Sequence, residues 1–233
     1  MSLKMICTIC ARAGSKGVKN KNLKEIAGMP LVAHSVKQAV ESGFFEAIAV
    51  SSDSKEILKV AGQYGATHLI LRPIEMATDQ APKLPAIQHC VSEVEKLSQN
   101  KFSLVVDLDC TSPLRSIDDI AQCIQKLKEC ANATNLITGA PSRRSPYFNM
   151  VVTDDQGYAH LAVGTESQIV RRQDAPKCYD MNASIYVWRR DELFNSEKVI
   201  GSRTLFYEMP EERSIDIDSP LDFKIVKFIL ENV

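Results

Sequence analysis

The stretch KMICTICARAGSKGVKNKNLK, residues 4–24, is the part of the sequence that says most about the fold. It opens with an apolar run typical of a buried strand and continues into a loop with five basic residues, no acidic residue and the glycines Gly14 and Gly17. Glycines let backbone N–H groups approach a ligand closely, and the loop after the first strand of an open α/β sheet lies where ligands bind. The stretch therefore predicts a phosphate-binding loop, with a solvated basic loop as the alternative. Its spacing matches neither the dinucleotide fingerprint nor the P-loop.

The sequence that follows this loop predicts a doubly wound, mainly parallel α/β sheet. Apolar runs typical of strands alternate with helical patterns over the first 110 residues, as in consecutive βαβ units. The predicted strands are Lys4–Ala11, Ala47–Ser51, Thr67–Leu71 and Leu104–Leu108. The predicted helices are Pro30–Ser42, Ser54–Tyr64, one over Leu84–Val94 entered through Pro85, and Ile117–Cys130.

Residues 136–189 have a different pattern, which predicts antiparallel hairpins inserted into the α/β core. Short apolar runs are separated there by polar turns, as in hairpins. These runs are Leu136–Ala140, Phe148–Thr153, Ala159–Val163 and Ser184–Trp188. The hairpin residues 147–152 carry more apolar side chains than a core of this size would cover, so we expect a homodimer interface. We predict one domain over residues 1–233, closed by an extended Ile215–Ile217 and a helix from Pro220 to about Glu231.

Composition excludes several classes of protein. Apolar residues make up 45% and charged residues 24% of the chain, which is ordinary for a globular protein. The formal charge of −1 argues against a nucleic-acid or membrane-surface protein. No apolar stretch approaches the length of a membrane span and no secretory signal is evident, so we expect a cytoplasmic protein.

The cysteine and histidine residues do not indicate a metal or disulfide framework. Seven scattered cysteines in a chain without a signal peptide are typical of reduced thiols. Cys7 and Cys10 stand three residues apart in a predicted strand, so their side chains point to opposite faces and cannot easily chelate a metal. The four histidines have no zinc-ligand spacing.

The stretch SIDIDSP, residues 214–220, predicts a cation site. In an extended chain Asp216 and Asp218 lie on one face and the two isoleucines on the other. Two carboxylates about 7 Å apart at the end of a strand suit a hard divalent cation that keeps several waters. The alternative is that Asp218 or Ser219 only caps the following helix.

A third stretch, DLDCTSPLR at residues 107–115, leaves a predicted strand and enters a turn. Alternation places Asp107 and Asp109 on the same face, and Asp109 at the tip is the better placed of the two to reach a ligand. The alternative is turn and cap chemistry by Asp109, Thr111 and Ser112. A loop that begins at Arg72-Pro73 and is closed by Pro82 follows the third strand, as expected beside a site.

Together these motifs resemble the CMP–sialic acid synthetase (acylneuraminate cytidylyltransferase) family over nearly the whole chain. The matching segments are ARAGSKGVKNKNL from residue 11, SSD at 51–53, RPIEMATD at 72–79, TSPLR at 111–115, NASIY at 182–186 and SIDIDS at 214–219. The resemblance implies an enzyme that needs CTP and Mg²⁺, with Mn²⁺ as a substitute. The anomeric hydroxyl of a 2-keto-3-deoxy acid sugar attacks the α-phosphate, and pyrophosphate leaves.

The resemblance also implies roles for individual residues. Those implied for catalysis are Arg12, Lys21 and Asp218. Those implied for nucleotide binding are Ala11, Arg12, Gly14, Ser15, Lys16, Lys21, Asn22, Arg72 and Ala81. Those implied for the metal are Asp216 and Asp218, and those for the sugar are Asp109, Thr111, Ser112, Arg172, Gln173, Asp180, Asn182 and Tyr186. By the same resemblance, residues 136–189 form a dimerisation segment whose Arg171, Arg172 and Gln173 reach the partner's site.

Two departures from the family bear on the choice of sugar. Asp109 stands where many sialic acid enzymes have glutamine, and Asp180 stands where they often have arginine. Carboxylates accept hydrogen bonds from hydroxyl and acetamido N–H groups, which favours a legionaminic-type sugar over N-acetylneuraminate. The alternatives are that these acids leave sugar choice untouched, that the substrate is the eight-carbon KDO, or that the protein binds nucleotide without turnover.

Overall fold

A seven-stranded sheet forms the centre of the protein, in the order β11-β7-β10-β6-β1-β4-β5. The computed structural model describes residues 3–14, 17–164, 169 and 171–232 of the 233. The strands are β1 Met5–Cys10, β2 Glu25–Ile26, β3 Met29–Pro30, β4 Ala47–Ser52, β5 His68–Leu71, β6 Leu104–Leu108, β7 Asn135–Pro141, β8 Val151–Thr153, β9 Ala159–Leu161, β10 Tyr179–Arg189 and β11 Thr204–Glu208. The helices are α1 Leu31–Ser42, α2 Lys55–Gln63, α3 Lys83–Ser98, α4 Ile117–Glu129, α5 Arg190–Asn195 and α6 Pro220–Glu231.

The sheet is parallel except at β10. β1 pairs in parallel with both β4 and β6, β5 extends β4, and β11 runs parallel to β7. β10 runs antiparallel between β6 and β7 and joins the two parallel groups into one sheet. The predicted α/β class and its alternation of strands and helices are thus confirmed.

Helices cover both faces of the sheet because its strands are apolar on both sides. One buried cluster holds the inner faces of α1, α2 and α4, with Val36, Ile57 and Ile120 fully or almost fully buried. The other cluster holds α3 and α5, represented by Ile87 and Leu193. Such two-sided burial explains the continuous apolar runs that predicted the strands.

The predicted insertion, residues 136–189, is longer than the segment that leaves the sheet. β7 and β10, which begin and end it, are strands of the central sheet, and only the described residues between them project away. β8 and β9 form a separate two-stranded hairpin there. The predicted strand over Phe148–Thr153 is confirmed only for its last three residues, because three N–H groups, those of residues 148–150, donate to the Ser145 carbonyl in a turn.

The C-terminal segment follows the predicted alternation without forming a strand. Ile217 is fully buried and Ile215 packs in the same cluster, which also holds the inner face of α6. No neighbouring strand pairs with residues 214–218 among those described, and the Ile217 N–H donates instead to the Thr111 carbonyl at 2.9 Å. The segment is thereby fixed beside the turn that follows β6.

The cysteine interpretation agrees with the structure. Cys7 lies in the cluster under α1, whereas Cys10 packs against the cluster under α3, on the other face of β1. The seven cysteines, all within the described residues, are free thiols. In the described part of the chain, none of the helices combines the length and apolar character needed to cross a bilayer.

Candidate functional site

A cleft of about 230 Å³ lies at the carboxyl ends of β1 and β6, where the sequence predicts ligand binding. Three segments form the walls of the cleft: the loop after β1, the loop between β5 and α3, and the turn after β6. Side chains that line it and were predicted from the sequence are Arg12, Gly14, Lys21, Asn22, Arg72, Ala81, Asp109 and Thr111. The cleft therefore brings together eight of the predicted site residues from distant parts of the chain.

Arg12 and Asn22 form the wall made by the first loop. The Arg12 guanidinium pairs with the Asp79 carboxylate of the opposite wall, across the cleft. The Asn22 amide donates to the Arg12 carbonyl at 2.9 Å, and its buried Oδ1 has no hydrogen-bond partner among the described residues. A buried acceptor without a partner costs stability, so this oxygen is a ready acceptor for a ligand N–H or O–H group.

Lys21 connects the first loop to the C-terminal carboxylates. Its ammonium, largely buried, donates to the Ile217 carbonyl and lies 3.5 Å from Asp218 Oδ1. Gly17 lies against the same segment, since a Cβ on this residue would sit 1.9 Å from the Asp218 carbonyl oxygen. The predicted phosphate loop and the predicted cation site are thus packed directly on each other.

The Asp218 carboxylate is not a helix cap. Ser219 is the N-cap of α6: its side-chain oxygen accepts from the Asp222 N–H, and the Asp222 carboxylate accepts from the Ser219 N–H. The Asp218 side chain is 81% exposed and pairs with Lys21. The capping alternative therefore applies to Ser219, and the Asp218 carboxylate stays open to solvent and ligands.

The turn after β6 fixes the Asp216 carboxylate by a hydrogen bond. The fully buried Ser112 hydroxyl donates to Asp216 Oδ1, and the Ala183 N–H approaches Oδ2 at 3.4 Å. Burial raises the pKa of the Asp216 carboxyl, and the negative charges of Asp109 and Asp218 raise it further against the Ser112 hydrogen bond. A cation at this point would relieve the repulsion among these carboxylates.

The two carboxylates fit the predicted divalent cation in donor type. Asp216 and Asp218 supply the hard oxygen ligands that Mg²⁺ prefers. Within the described ranges, no group of three or more acidic, histidine or cysteine side chains is arranged to hold a metal. Mg²⁺ is usually bound through one or two carboxylates, with the remaining positions left to water and substrate phosphates.

Asp107 and Asp109 are joined by a lysine that the sequence analysis did not single out. The Lys83 ammonium lies 2.8 Å from an oxygen of each carboxylate and 4.8 Å from the centre of the Tyr186 ring. Burial alone would lower the pKa of Lys83, but the two carboxylates raise it well above its usual value. Burial opposes ionisation of Asp109 as well, yet Lys83 and Thr111 hold its pKa at about 2.

Asp109 also makes the turn contacts that were its alternative interpretation. Its Oδ1 accepts from the N–H and the hydroxyl of Thr111, at 2.8 and 2.9 Å. Its backbone carbonyl accepts from the buried Arg115. The predicted placement of Asp107 and Asp109 on one face is confirmed, and the side chain of Asp109 combines a structural role with a position on the cleft wall.

The remaining nucleotide-side residues are fixed by the ends of the strands. Ala11 is buried and its N–H donates to the Ser51 carbonyl at 3.0 Å. Arg72 is largely buried, and its guanidinium donates to both the hydroxyl and the carbonyl of Ser51. Two other predicted residues, Ser15 and Lys16, lie outside the described residues.

Three of the sugar-side residues lie on β10, namely Asp180, Asn182 and Tyr186. Tyr186 is buried beside Lys83. Asn182 is also buried, with its oxygen accepting from Thr138 Oγ1 at 2.5 Å and its amide directed at the Met209 sulfur. Asn182, Asp180 and Asp216 line a second cavity of about 580 Å³ between β10 and α6.

Arg172, Gln173 and Asp180 do not reach the first cleft. Arg172 donates to the Ser142 carbonyl at 2.9 Å, and with Gln173 it lines a separate cavity of about 590 Å³ on the projecting segment. The Asp180 carboxylate accepts from the Ser142 hydroxyl at 2.8 Å. Within one protomer the structure therefore leaves these predicted sugar residues apart from Arg12 and Lys21.

The arrangement suits transfer of a phosphoryl-linked group. Cationic side chains and backbone on one wall can neutralise a polyphosphate, and two carboxylates next to them can hold a divalent cation. Cys10 also lines the cleft, but burial and Asp107 raise its pKa to about 12, so its thiol is a poor nucleophile near neutral pH. The site therefore favours direct displacement between two bound substrates.

The chain is similar to several known proteins. The family model for cytidylyltransferases matches residues 6–222. A post-translational flagellin modification protein B of Campylobacter coli is 41% identical over 97% of this chain and 95% of its own. A CMP-N,N'-diacetyllegionaminic acid synthase of Campylobacter jejuni is 43% identical over 97% of this chain and 94% of its own.

More distant relatives extend the comparison. An N-acylneuraminate cytidylyltransferase of Streptococcus agalactiae is 31% identical over 95% of this chain, which spans 52% of that protein. Among solved structures, CMP:2-keto-3-deoxy-manno-octonic acid synthetase complexed with CTP superposes with a TM-score of 0.69, 17% identity and coverage of 97% of this chain and 98% of the other. At 17% identity this similarity shows a shared fold and nothing more.

Proposed function

This chain belongs to the cytidylyltransferase family, and from that premise we infer that it activates a nine-carbon 2-keto-3-deoxy acid sugar with CTP. The sugar's anomeric hydroxyl releases its proton to solvent as its oxygen bonds to the α-phosphorus of CTP. The bond from that phosphorus to the bridging oxygen breaks, and CMP-sugar and pyrophosphate are the products. The relatives at 31–43% identity have names that refer to flagellin modification or to the activation of nine-carbon sugars. The synthetase that acts on the eight-carbon sugar is similar to this chain in fold alone.

One observation carries this function: the basic loop that lines the cleft packs directly against the segment that carries the paired carboxylates. Lys21 contacts both Ile217 and Asp218, so a triphosphate on the loop lies beside the carboxylates. We assign Arg12 and Lys21 to the phosphates, because charge neutralisation and alignment are what such a displacement needs. The unpartnered Asn22 Oδ1 is assigned to a donor group of the nucleotide.

The metal-dependent part of the proposal rests on Asp216 and Asp218. These residues would hold Mg²⁺, or Mn²⁺ in its place, and the ion when bound neutralises charge on the phosphates. Ser112 orients Asp216 through its hydrogen bond, and α6 begins directly after Asp218, which fixes the backbone of that residue. The exposed Asp218 carboxylate is the first choice for a direct ligand.

The sugar itself is the finer part of the proposal, and we infer a legionaminic-type acid rather than N-acetylneuraminate. Asp109 lines the cleft as a carboxylate that stays ionised near neutral pH, and it can accept but not donate hydrogen bonds. A sugar with two acetamido groups offers N–H donors to such an acceptor. The 43% identity to the legionaminic enzyme supports the same choice.

Pyrophosphate release tests the reaction. The purified protein is given CTP, Mg²⁺ and, in separate reactions, a legionaminic acid, N-acetylneuraminate and KDO. Turnover of the nine-carbon acids is expected. Turnover of KDO alone would favour the eight-carbon alternative, and binding of CTP without any turnover would indicate a nucleotide-binding protein that has lost catalysis.

The choice between the two nine-carbon sugars needs its own measurement. The kcat/KM of each sugar is compared in the unmutated enzyme and in Asp109→Gln, which places the glutamine of many sialic acid enzymes at this position. We expect legionaminic acid to be preferred and the variant to lose part of that preference. A higher kcat/KM for N-acetylneuraminate in the unmutated enzyme would contradict the legionaminic assignment.

The proposal also includes a cytoplasmic homodimer. Free thiols suit a reducing compartment, and CTP is a cytosolic substrate. The projecting segment carries Arg172 and Gln173 away from the cleft of its own protomer, as a contribution to the partner's site requires. No nucleic acid or membrane partner is part of the proposal.

A further inference from the structure

Lys83 is a buried cation at the cleft that the proposed reaction has not yet used. It is the first residue of α3, follows Pro82, and lines the cleft next to Ala81. Its side chain is 24% exposed, so its ammonium is neither free in solvent nor sealed in the core. Lys83 stands between the nucleotide side of the cleft and the sugar-side residues Asp109 and Tyr186.

The two carboxylates that Lys83 bridges have different surroundings. Asp107 is fully buried, and the Thr8 hydroxyl donates to its Oδ1 at 2.8 Å. Asp109 is 16% exposed and belongs to the cleft wall. Lys83 therefore has two kinds of contact. Its contact with Asp107 lies in the core and is structural, and its contact with Asp109 lies on the cleft wall, where a ligand can bind.

Counting hydrogen bonds shows what Asp109 has left for a ligand. A carboxylate has about four acceptor positions. Two hydrogen bonds from Thr111 occupy Oδ1 and one from Lys83 occupies Oδ2. One acceptor position on Oδ2 remains, and the direction in which it points is set by the Lys83 contact.

On the basis of the proposed function, we propose that Lys83 is a positioning residue that determines sugar specificity by fixing the Asp109 carboxylate. Held in this way, Asp109 presents a single charged acceptor for a hydroxyl or acetamido N–H group of the acid sugar. The negative charge of Asp109 disfavours the sugar's own carboxylate at this point. Asp109, fixed by Lys83, thus selects both the donor group and the orientation of the sugar.

Steady-state kinetics of Lys83→Met, with Asp107→Asn as the matched control, tests this proposal. The Met variant removes the cation at similar length, and the control removes only the partner that faces the core. We expect the KM of the sugar to rise about tenfold or more in Lys83→Met, as for loss of a charged hydrogen bond, with the KM of CTP within about twofold. In Asp107→Asn both KM values should stay within about twofold of the unmutated enzyme.

A double-mutant cycle separates positioning from general stability. If Lys83 acts through Asp109, then adding Lys83→Met to Asp109→Asn produces little further change in sugar KM. If Lys83 is purely structural, its replacement lowers the melting temperature and the fraction of active enzyme. Its effect on the sugar KM then adds to that of Asp109→Asn. Lys83→Met leaves the buried Asp107 carboxylate without its cation, and this variant can fail to fold for that reason. In that case the double variant Lys83→Met/Asp107→Asn, which also removes the buried charge, is compared with Asp107→Asn.

The outcomes distinguish this inference from the proposed function. Absence of turnover of any nine-carbon acid sugar by the unmutated enzyme would remove the proposed function and the inference with it. Normal turnover combined with an unchanged sugar KM in Lys83→Met, or with additive effects in the cycle, would overturn the role of Lys83 alone. An equal rise in the KM of both substrates would overturn it as well.

Discussion

At the scale of single residues, Asp218 gives the most direct test of the proposed metal site. Replacing it by asparagine exchanges a charged ligand for a neutral amide, a poorer partner for a hard cation. We expect kcat to fall by about 100-fold or more with little change in melting temperature, because the side chain is 81% exposed. Turnover is measured across a Mg²⁺ titration.

Asp191→Asn is the matched control for that variant. Asp191 is 87% exposed and is paired with a basic side chain, Arg190, as Asp218 is with Lys21. It lies at the start of α5, outside the cleft, so the same chemical change should leave kcat unaltered. Near-normal Mg²⁺-dependent turnover in Asp218→Asn would contradict the metal assignment.

Arg12→Ala addresses the phosphate side of the same cleft. A contact with the triphosphate persists from bound substrate to transition state, so its loss weakens CTP binding and catalysis together. We expect the Kd of CTP to rise about tenfold to 100-fold, as for a charged hydrogen bond. Calorimetric titration with CTP measures it, and Arg203→Ala, which removes an exposed arginine paired with Glu192, is the control. An unchanged affinity in Arg12→Ala would show that the first loop does not hold the phosphates.

At the scale of elements, the contact between the first loop and the C-terminal segment is tested at Gly17. A Cβ there would lie 1.9 Å from the Asp218 carbonyl oxygen, so the alanine variant must separate the loop from the carboxylates. We expect kcat/KM to fall about tenfold or more, as for misplaced reacting groups, while the melting temperature changes little. Kinetics and thermal unfolding are measured on the same preparation.

Gly201→Ala serves as the control for Gly17→Ala. A Cβ at Gly201 would meet Thr204 Oγ1 at 3.9 Å, an ordinary contact, and the residue lies far along the chain from the cleft loops. This variant should keep full activity. If Gly17→Ala is equally active, packing between the loop and the segment is not needed for turnover.

The elements that could be predicted from the sequence are those defined by local pattern. Strands β1, β4 and β6 are apolar on both faces, and the helices between them have a clear apolar side, so their existence follows from the sequence alone. β11 was missed because its half-buried edge position gives TLFYE no clear alternation. The membership of β7 and β10 in the sheet depends on pairing with β6 and β11, which no local pattern reports.

The same distinction applies to the site. Arg12, Lys21 and the two C-terminal aspartates stand in distinctive stretches, and the cleft indeed gathers the first two next to the segment that carries the others. Lys83 was missed because its partner Asp109 is 26 residues away along the chain. A lysine at a helix start is ordinary in sequence, and only the folded sheet places it between two carboxylates.

At the scale of the whole molecule, the projecting segment predicts a dimer. A two-stranded hairpin is marginally stable alone, and β8–β9 exposes apolar side chains that include Met150, Val151, Val152 and Leu161. Light scattering at micromolar concentration should give about 52 kDa, twice the chain mass of 25.9 kDa. A mass near 26 kDa would contradict the dimer.

Val151→Lys provides the companion measurement. Val151 is 57% exposed and pairs with Leu161 across the hairpin, so a lysine there should leave the protomer intact but would be buried in a dimer formed through this hairpin. We expect the mass to shift toward that of one chain. If Arg172 and Gln173 act in the partner's site, turnover falls in proportion to the loss of dimer.

The position of β10 in the sheet has a consequence for biosynthesis. β6 is buried along its whole length, and its open edge is closed by β10, which leaves the ribosome only after residues 109–178 have been made. At elongation rates of about 5–20 residues per second, that edge is unpaired for several seconds in every nascent chain. Nascent chains stalled before residue 189 should therefore associate with holdase chaperones, and those that have emerged past it should be released.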